Sequence, residues 1–496
     1  MKRKSGRAEG RSKPLFTAFV PSGAGTGAAR TVAQIAASGL VGRTYLLAPP
    51  GVPAVEGAAV LRVVSPRDSA TMKLIAAKTE TPYALLVLHE TGIEFGAYAF
   101  ERFAEIAGAV GEGMLYSDYL EAKGNQVTPH PVIDYQEGAL RDDFDFGSLV
   151  VIGGAALRRA AREIGDHRYA GFYALRLAIA RRSGIFRVAE TLYQKQEPDL
   201  RKEGVKLFDY VDPRNRDVQL DMERAVTAHL RKVKAYLKPG SAQVDLDTGE
   251  FPVTASIVIP VRNRANTIGD AVASALRQQA SFPFNVIVVD NHSTDGTTDI
   301  LRTFATRDAR LIHCIPGRND LGIGGCWNEA VHHAACGRFA AQLDSDDLYI
   351  DESTLGRIVE CFRKEKCAMV VGAYRMTDLR LREIPPGIID HREWTADNGR
   401  NNALRVNGFG APRAFFTPVL RTLNIPNVSY GEDYAVGLAI SRKYRVGRIY
   451  DPIYLCRRWE GNSDADPGVA KMNLNNWYKD KIRTIEVRAR RRMNTR

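Results

Sequence analysis

The sequence predicts an α/β protein built from two similar halves in tandem, and three observations carry that prediction. In the second half, buried β-branched runs such as "ASIVIP" (Ala255–Pro260) and "NVIVVD" (Asn285–Asp290) alternate with helical stretches. Strands of that kind belong to a mostly parallel sheet covered on both faces. The first 200 residues alternate in the same way. Finally, Tyr169–Gln194 overlays Tyr430–Leu455 almost without gaps, keeping Tyr173 with Tyr434, Leu177 with Leu438, Arg187 with Arg448 and Tyr193 with Tyr454. Internal repetition on this scale points to one structural plan used twice.

Taken in chain order, the first half offers "LFTAFVP", a helix from Ala28 to Ser38, "TYLLAP", "YALLVL" and "MLYSDY". Residues 201–250 read as a helical connector. Within it, Asp217–Leu237 places Leu220, Met222, Ala225, Leu230, Val233 and Leu237 on one helical face, and Pro239-Gly240-Ser241 ends it. From Phe251 the pattern sharpens: strand Ala255–Pro260, a polar loop Val261–Asn266, and a helix Thr267–Gln279 with apolar Ile268, Val272, Ala275 and Leu276. A strand then ends at Asp290, a helix follows "NHSTDGT", and "RFAAQL" leads into Asp344. The expected domains are 1–200, the connector 201–250, 251–460, and a basic tail 461–496. Ligands of such sheets bind beyond the carboxyl ends of the strands, where Pro260, Asp290 and Asp344 stand.

The two halves differ in their polar groups. "YALLVLHET" resembles "FAAQLDSDD", and "MLYSDY" sits where "VVGAYR" does, but Leu88-His89-Glu90-Thr91 replaces Asp344-Ser345-Asp346-Asp347. Phe172 stands in place of Asp433, and the strand end at Ala48-Pro49 has no carboxylate to match Asp290. The first half has the scaffold without the acids, which suits a structural or acceptor-holding role.

Composition is that of a globular protein, with 45% hydrophobic and 25% charged residues and a formal net charge of +12. The basic ends, Met1–Lys13 and Lys479–Arg496, read as solvated tails, the second a candidate for peripheral contact with an anionic membrane. No basic cluster interleaved with aromatics calls for nucleic acid. No run approaches the apolar length of a spanning helix, and Pro21 interrupts the N-terminal apolar stretch, so no signal peptide and a cytoplasmic location are expected. The six cysteines form no C-x-x-C pair and read as reduced packing thiols, which argues against zinc.

Chemistry concentrates in Asp344-Ser345-Asp346-Asp347. Carboxylates packed at a strand end repel one another unless a cation or hydrogen-bond donors offset them, and magnesium or manganese prefers oxygen ligands. Asp290 ends a buried strand, and Asp290–Thr297 provides turn residues and backbone N–H groups at a helix start. A capped turn is the plainer alternative there. "NDLGIGGCWNEAV" (Asn319–Val331) is a glycine-rich entry to a helix, and "YGEDYAV" sets Glu432 and Asp433 at the start of another, where carboxylates also interact well with the helix dipole. "RRWEGNSDA" (Arg457–Ala465) supplies cations, an indole and small polar groups.

"SIVIPVRNRANTI", "VVDNHSTDGT", "FAAQLDSDD" and "GEDY", in that order, resemble the signature of family-2 glycosyltransferases with the GT-A fold; the first half is similar only through the repeat. The resemblance implies two GT-A-like domains, of which the second is an inverting, hexosyltransferase-like enzyme with a manganese or magnesium ion. Its donor would be a nucleotide-sugar, a UDP-sugar by family preference, and its acceptor a hydroxyl of a glycan or glycoconjugate. It implies Asp433 as general base, Asp344 and Asp346 as the metal-binding D-x-D, and Pro260, Val261, Asn263, Asp290, Asn328, Asp344, Ser345, Glu432 and Arg458 around the nucleotide-sugar. Three positions depart from the pattern: Arg264 where an acid is frequent, Asn291-His292 after Asp290, and Trp327 where arginine is frequent. Arg318 or Arg458 would replace the last. Two other functions compete, a nucleotidyltransferase and a non-catalytic nucleotide-sugar-binding scaffold. The first lacks its glycine-rich activating loop, and the second suits the N-terminal half alone.

Overall fold

The computed structural model describes residues 13–22, 27–90, 92–196, 215–462 and 468–495. They group into two compact units. The first takes the chain up to Glu137, the part from Asp143 to the end of the first half, and Arg224–His229; the second takes Gly138–Asp142, residues 215–223 and everything from Leu230. This revises the expected boundaries, because 201–250 is not a separate body and a short excursion of the first half belongs to the second unit. Residues 201–214 of the expected connector lie outside the described residues, as do 1–12 of the basic N-terminus.

The N-terminal unit contains β1 (Phe16–Pro21), β2 (Val41–Ala48), β3 (Ala59–Arg62), β4 (Tyr83–Val87), β5 (Ile93–Phe95), β6 (Gly113–Lys123), β7 (Gln126–His130), β8 (Leu149–Gly153) and β9 (Gly184–Gln196). They pair in the order β3-β2-β1-β4-β8-β6-β9-β5, with β7 on β6. Helices α1 (Gly27–Ala37), α2 (Ser69–Lys78), α3 (Ala99–Val110), α4 (Gly154–Glu163) and α5 (Gly171–Ala180) lie between them in sequence. Helix α6 (Arg216–Lys232) follows.

The C-terminal unit contains β10 (Ala255–Val261), β11 (Phe284–Asp290), β12 (Leu311–Cys314), β13 (Phe339–Gln342), β14 (Leu348–Tyr349), β15 (Met369–Thr377), β16 (Glu383–Ile389), β17 (Arg413–Phe416) and β18 (Val446–Arg457). Their order is β12-β11-β10-β13-β17-β15-β18-β14, with β16 on β15. Its helices are α7 (Ile268–Leu276), α8 (Thr297–Arg307), α9 (Ile323–His332), α10 (Thr354–Glu365), α11 (Gly399–Asn402), α12 (Thr417–Leu423), α13 (Glu432–Lys443) and α14 (Gly468–Asn494).

Adding nine to every strand label turns the first order into the second, and each pairing keeps its parallel or antiparallel sense. The predicted duplication is therefore present strand by strand. The register refines it: Met114 and Met369 hold equivalent places, so "MLYSDY" overlays "MVVGAY", one residue earlier than the sequences alone indicate. The mostly parallel expectation is also corrected, since both sheets are mixed. β10 to β13 are parallel, whereas β17 runs antiparallel to both β13 and β15. The regular strand–helix alternation that signals parallel pairing ends after "RFAAQL"; of the later strands β14, β16 and β17 run in the opposite sense, while β15 and β18 keep that of β13.

The centre of the second sheet is dry. Ile257, Val258 and Ile259 of β10 and Val286 to Val289 of β11 have no exposed surface, as strands covered on both faces require. Helix α7 buries Ile268, Val272 and Ala275 as its sequence predicted, with Ala271 completing the i, i+3, i+4, i+7 face, while Leu276 of the expected set is only half-buried. Helix α6 is shorter than expected: it stops at Lys232, Lys234 turns left-handed at φ 60°, and Leu220 is exposed.

The basic C-terminal tail is the largest revision. It folds as the 27-residue α14, whose one face is buried although rich in charge. Arg483 has no exposed surface and donates to the Tyr434 hydroxyl (2.9 Å), the Val406 carbonyl (2.9 Å), Asn407 Oδ1 (2.8 Å) and Asp480 Oδ1 (2.9 Å). Arg490, equally buried, donates to Glu486 (2.6 Å) and to the Arg400 carbonyl (2.9 Å). Removing one partner of a buried pair strands the other, at a cost of roughly 3–5 kcal/mol. Arg483→Met should therefore lower the unfolding midpoint by several degrees in a thermal melt; an unchanged midpoint would show that α14 contributes nothing to the core.

Candidate functional site

Because β10, β11 and β13 run parallel, their carboxyl ends open on one edge of the sheet. A cavity of about 330 Å³ lies there. Its wall includes Pro260 near the end of β10 and Arg264 after it, the turn Asp344–Asp347 after β13, Arg413 opening β17, and Glu432 and Asp433 opening α13.

The three acids of the turn have different surroundings. Asp347 is buried and accepts the Arg457 backbone N–H at 2.7 Å, which clips the turn to β18. Burial, then the charges of Asp344 and Asp346, push its carboxyl well above the usual range. Asp344 Oδ1 accepts from Gln342 Nε2 at 2.7 Å, and its N–H donates to the Tyr454 hydroxyl at 3.0 Å. Burial raises the Asp344 carboxyl too, with Asp346 and Asp433 adding to it against Arg413 and Gln342. Asp346 Oδ2 accepts from Trp459 Nε1 (3.3 Å) and Asn462 Nδ2 (3.1 Å), with Arg264 Nε 3.9 Å away. Asp344 and Asp346 thus leave like charges facing a cavity. That donor set suits a hard divalent cation, which takes one or two protein carboxylates and completes its shell from phosphate oxygens.

Helix α13 begins after Gly431, whose φ of 81° suits only glycine well. Asp433 Oδ1 accepts the Tyr434 N–H at 2.7 Å, and its Oδ2 pairs with Arg413 Nη1 at 2.7 Å. Burial opposes its charge, but Arg413 and Lys479 outweigh burial and hold the carboxyl below its ordinary value. Glu432 behaves oppositely: burial and the Asp433 charge push it up to about 8. Its Oε2 has no hydrogen-bond partner among the described residues. At neutral pH the neighbours therefore divide into an ionised Asp433 and a protonated Glu432.

Sequence reasoning missed Arg413 and Gln342. Gln342 Oε1 accepts the Arg413 N–H at 3.2 Å while its Nε2 holds Asp344, so one amide links the acidic turn to the strand that carries the cation. A signal existed, since a glutamine ending the apolar run "FAA" in a buried strand needs partners. Nothing local identified Arg413, which a distant helix start makes important.

Of the expected site residues, Pro260, Asp344, Ser345, Asp346, Glu432, Asp433 and Arg458 line the cavity. Val261, Asn263, Asp290 and Asn328 are not brought to its wall. Asp290 has no exposed surface; its oxygens accept from the Ser293 N–H (3.0 Å) and the Thr298 hydroxyl (2.6 Å), with His313 Nε2 at 3.3 Å. Burial works against its charge, yet these bonds keep it below the usual carboxylate range. Asn263, at φ 53°, accepts from the Thr294 N–H (2.8 Å) and donates to Ser293 Oγ (2.9 Å), which joins the loops after β10 and β11. Asn328 spends both ends of its amide on the backbone of Ile425, at 2.7 and 2.9 Å. Trp327 lines the cavity against Phe415. Arg318 is exposed and paired with Asp320 at 2.6 Å, away from the cavity wall, which leaves Arg458 and Arg264 as its cations besides Arg413.

The register of the first sheet identifies what stands at the same places there. Ala48 occupies the position of Asp290, Val150 that of Arg413, Leu88 that of Asp344, and Glu90 that of Asp346.

Residues 256–419 match the family described as Glycosyl transferase family 2. TuaG of Bacillus subtilis, named for teichuronic acid biosynthesis, is 35% identical over 122 residues, which cover 24% of this chain and 46% of that protein. WfgD of Escherichia coli, a UDP-Glc:alpha-D-GlcNAc-diphosphoundecaprenol beta-1,3-glucosyltransferase, is 31% identical over 121 residues, or 24% and 46% of the two chains. The chain thus spans less than half the length of these relatives. Among solved structures, S. aureus TarS 1-349 in complex with UDP-GlcNAc is similar at 21% identity and a TM-score of 0.36, covering 46% of this chain and 70% of that one.

The raised Glu432 has a consequence for stability. Unfolded, it ionises near the ordinary glutamate value, whereas folded it keeps its proton to about 8. The folded state therefore binds more protons between those values, and stability falls as pH rises through that window. Glu432→Gln should flatten the decline of the unfolding midpoint between pH 5 and pH 8, about the bounds the two ionisations set; an equally steep decline in the variant would refute the assignment.

Proposed function

We propose that the C-terminal unit, a family-2 glycosyltransferase domain by its match over residues 256–419, transfers a sugar from a nucleotide-sugar donor to an acceptor hydroxyl with inversion. The observation that carries this reading is the meeting of Asp344, Asp346 and the ion-paired Asp433 in one cavity. The donor is taken to be a UDP-sugar, in line with the E. coli relative named for UDP-Glc. The acceptor is taken to be a glycan or glycoconjugate, in line with both relatives named above.

Asp344 and Asp346 would hold manganese or magnesium, which when bound neutralises charge on the departing diphosphate. Arg264 and Arg458 add fixed positive charge to the same wall. Asp433 accepts the proton of the acceptor hydroxyl as that oxygen attacks the anomeric carbon, while Arg413 stays as its counter-ion. A base held below its ordinary pKa is a weak one, but it is fully ionised at neutral pH, and the hydroxyl becomes acidic as its bond to carbon forms. Glu432, protonated, serves as a hydrogen-bond donor beside it. The N-terminal unit, with Ala48, Leu88, Val150 and Phe172 in place of Asp290, Asp344, Arg413 and Asp433 and an acid kept only at Glu90, is taken as structural or acceptor-holding. No helix among the described residues is long and apolar enough to cross a membrane. The free thiols suit a reducing, cytoplasmic compartment.

Release of nucleoside diphosphate from a panel of nucleotide-sugars, with and without manganese, tests the activity. Asp433→Asn should lower transfer roughly 10²–10⁴-fold with donor affinity unchanged; normal transfer would remove Asp433 from the mechanism. Arg413→Gln should move the acidic limb of the rate profile to higher pH, because Asp433 loses the cation that keeps it ionised. A limb that stays in place would mean that another group titrates.

A further inference from the structure

Helix α14 has a second face, which nothing in the proposed reaction uses. Its buried side carries Lys479, Asp480, Ile482, Arg483, Glu486, Val487 and Arg490. Opposite it, Lys471, Leu474, Trp477, Lys481, Ile485, Arg488 and Arg492 are exposed. These positions recur every three or four residues, so they form one stripe down the helix. With 27 residues the helix is about 40 Å long, and the stripe runs for most of it.

The content of the stripe is unusual for a solvated surface. Leu474 is 66% exposed and Ile485 63%, and Trp477 is 40% exposed with the Lys481 ammonium 5.8 Å above its ring. Lys481 and Arg492 give the stripe its positive charge, and the helix puts no acid there, because both its acids, Asp480 and Glu486, lie on the buried side. Large apolar side chains alternating with cations, on a helix whose other face is anchored, make an interfacial surface: the apolar groups enter the headgroup boundary and the cations meet anionic lipid. A polyanion in water would pair with the cations but leave Leu474 and Ile485 wet. A second copy of the stripe would oppose cation to cation.

We infer that this face of α14 docks the protein on an anionic phospholipid membrane, lying along the surface without spanning it. The inference does not rest on the proposed transferase activity. It also locates the contact on the exposed stripe, since much of the basic charge of Lys479–Arg496 is turned inward.

Flotation of the full chain with vesicles tests it. Partition into equal parts of phosphatidylcholine and phosphatidylglycerol should exceed partition into phosphatidylcholine alone by roughly tenfold or more. Lys481→Glu with Arg492→Glu should reduce anionic partition by a similar factor, and so should Leu474→Ser with Ile485→Ser. Both pairs are exposed, so each variant should melt at the wild-type temperature. Equal partition of the wild type into both vesicles, or none, would overturn the inference. So would retention on heparin with no vesicle binding, or an apolar variant that floats as well as the wild type.

Discussion

The ion pair between Arg413 and Asp433 is the contact around which the second unit's cavity is organised. Five carboxyl groups stand on this wall: Asp344, Asp346 and Asp347 from the turn, and Glu432 and Asp433 from α13. Left together they would repel one another and take up protons, and Glu432, Asp344 and Asp347 do shift in that direction. The Arg413 guanidinium, aided by the Lys479 ammonium, lets Asp433 escape this. The pair is fixed in turn, because the Arg413 N–H is held by the same glutamine that holds Asp344. The acids therefore divide by environment into a clip, two groups facing the cavity, one ion-paired carboxylate and one that keeps its proton.

The first unit demonstrates how little of this the fold requires. It repeats all the strands and all their pairing senses with alanine, leucine, valine and phenylalanine where the second has Asp290, Asp344, Arg413 and Asp433, and keeps an acid only at the place of Asp346, where Glu90 stands. The strands assemble through apolar burial, so the polar groups are an addition to the scaffold and a burden on it. Their concentration in one copy fits a protein in which only that copy meets a charged ligand.

What could be read from the sequence follows from the range of the interactions. Buried strands and α7 are written in local periodicity, and β10, β11 and α7 lie where the residues place them. The acidic turn was legible as a group because its members are adjacent. Arg413 was not, since its partner is twenty residues away, on a different element. The same limit explains α14: a run of arginine and lysine looks solvated until Asp480, Glu486, Tyr434 and Asn407 are seen around it. The antiparallel β17 escaped because four residues carry no signal of direction.

Asp290 illustrates the difference between a residue at a site and one that sets it. Its carboxylate is wholly enclosed, yet through Ser293 and Thr298 it fixes the loop after β11. That loop holds the one after β10: the Thr297 hydroxyl accepts the Arg264 N–H at 2.8 Å, and Asp295 accepts the Ala265 N–H at 3.0 Å. Arg264 is thereby held with its guanidinium 3.9 Å from Asp346. A buried charge is tolerated only when its bonds replace water, and here those bonds also hold the cation opposite the acidic turn. Asp290 thus acts on the cavity through two loops, which is why an acid at a strand end can matter to chemistry without touching it.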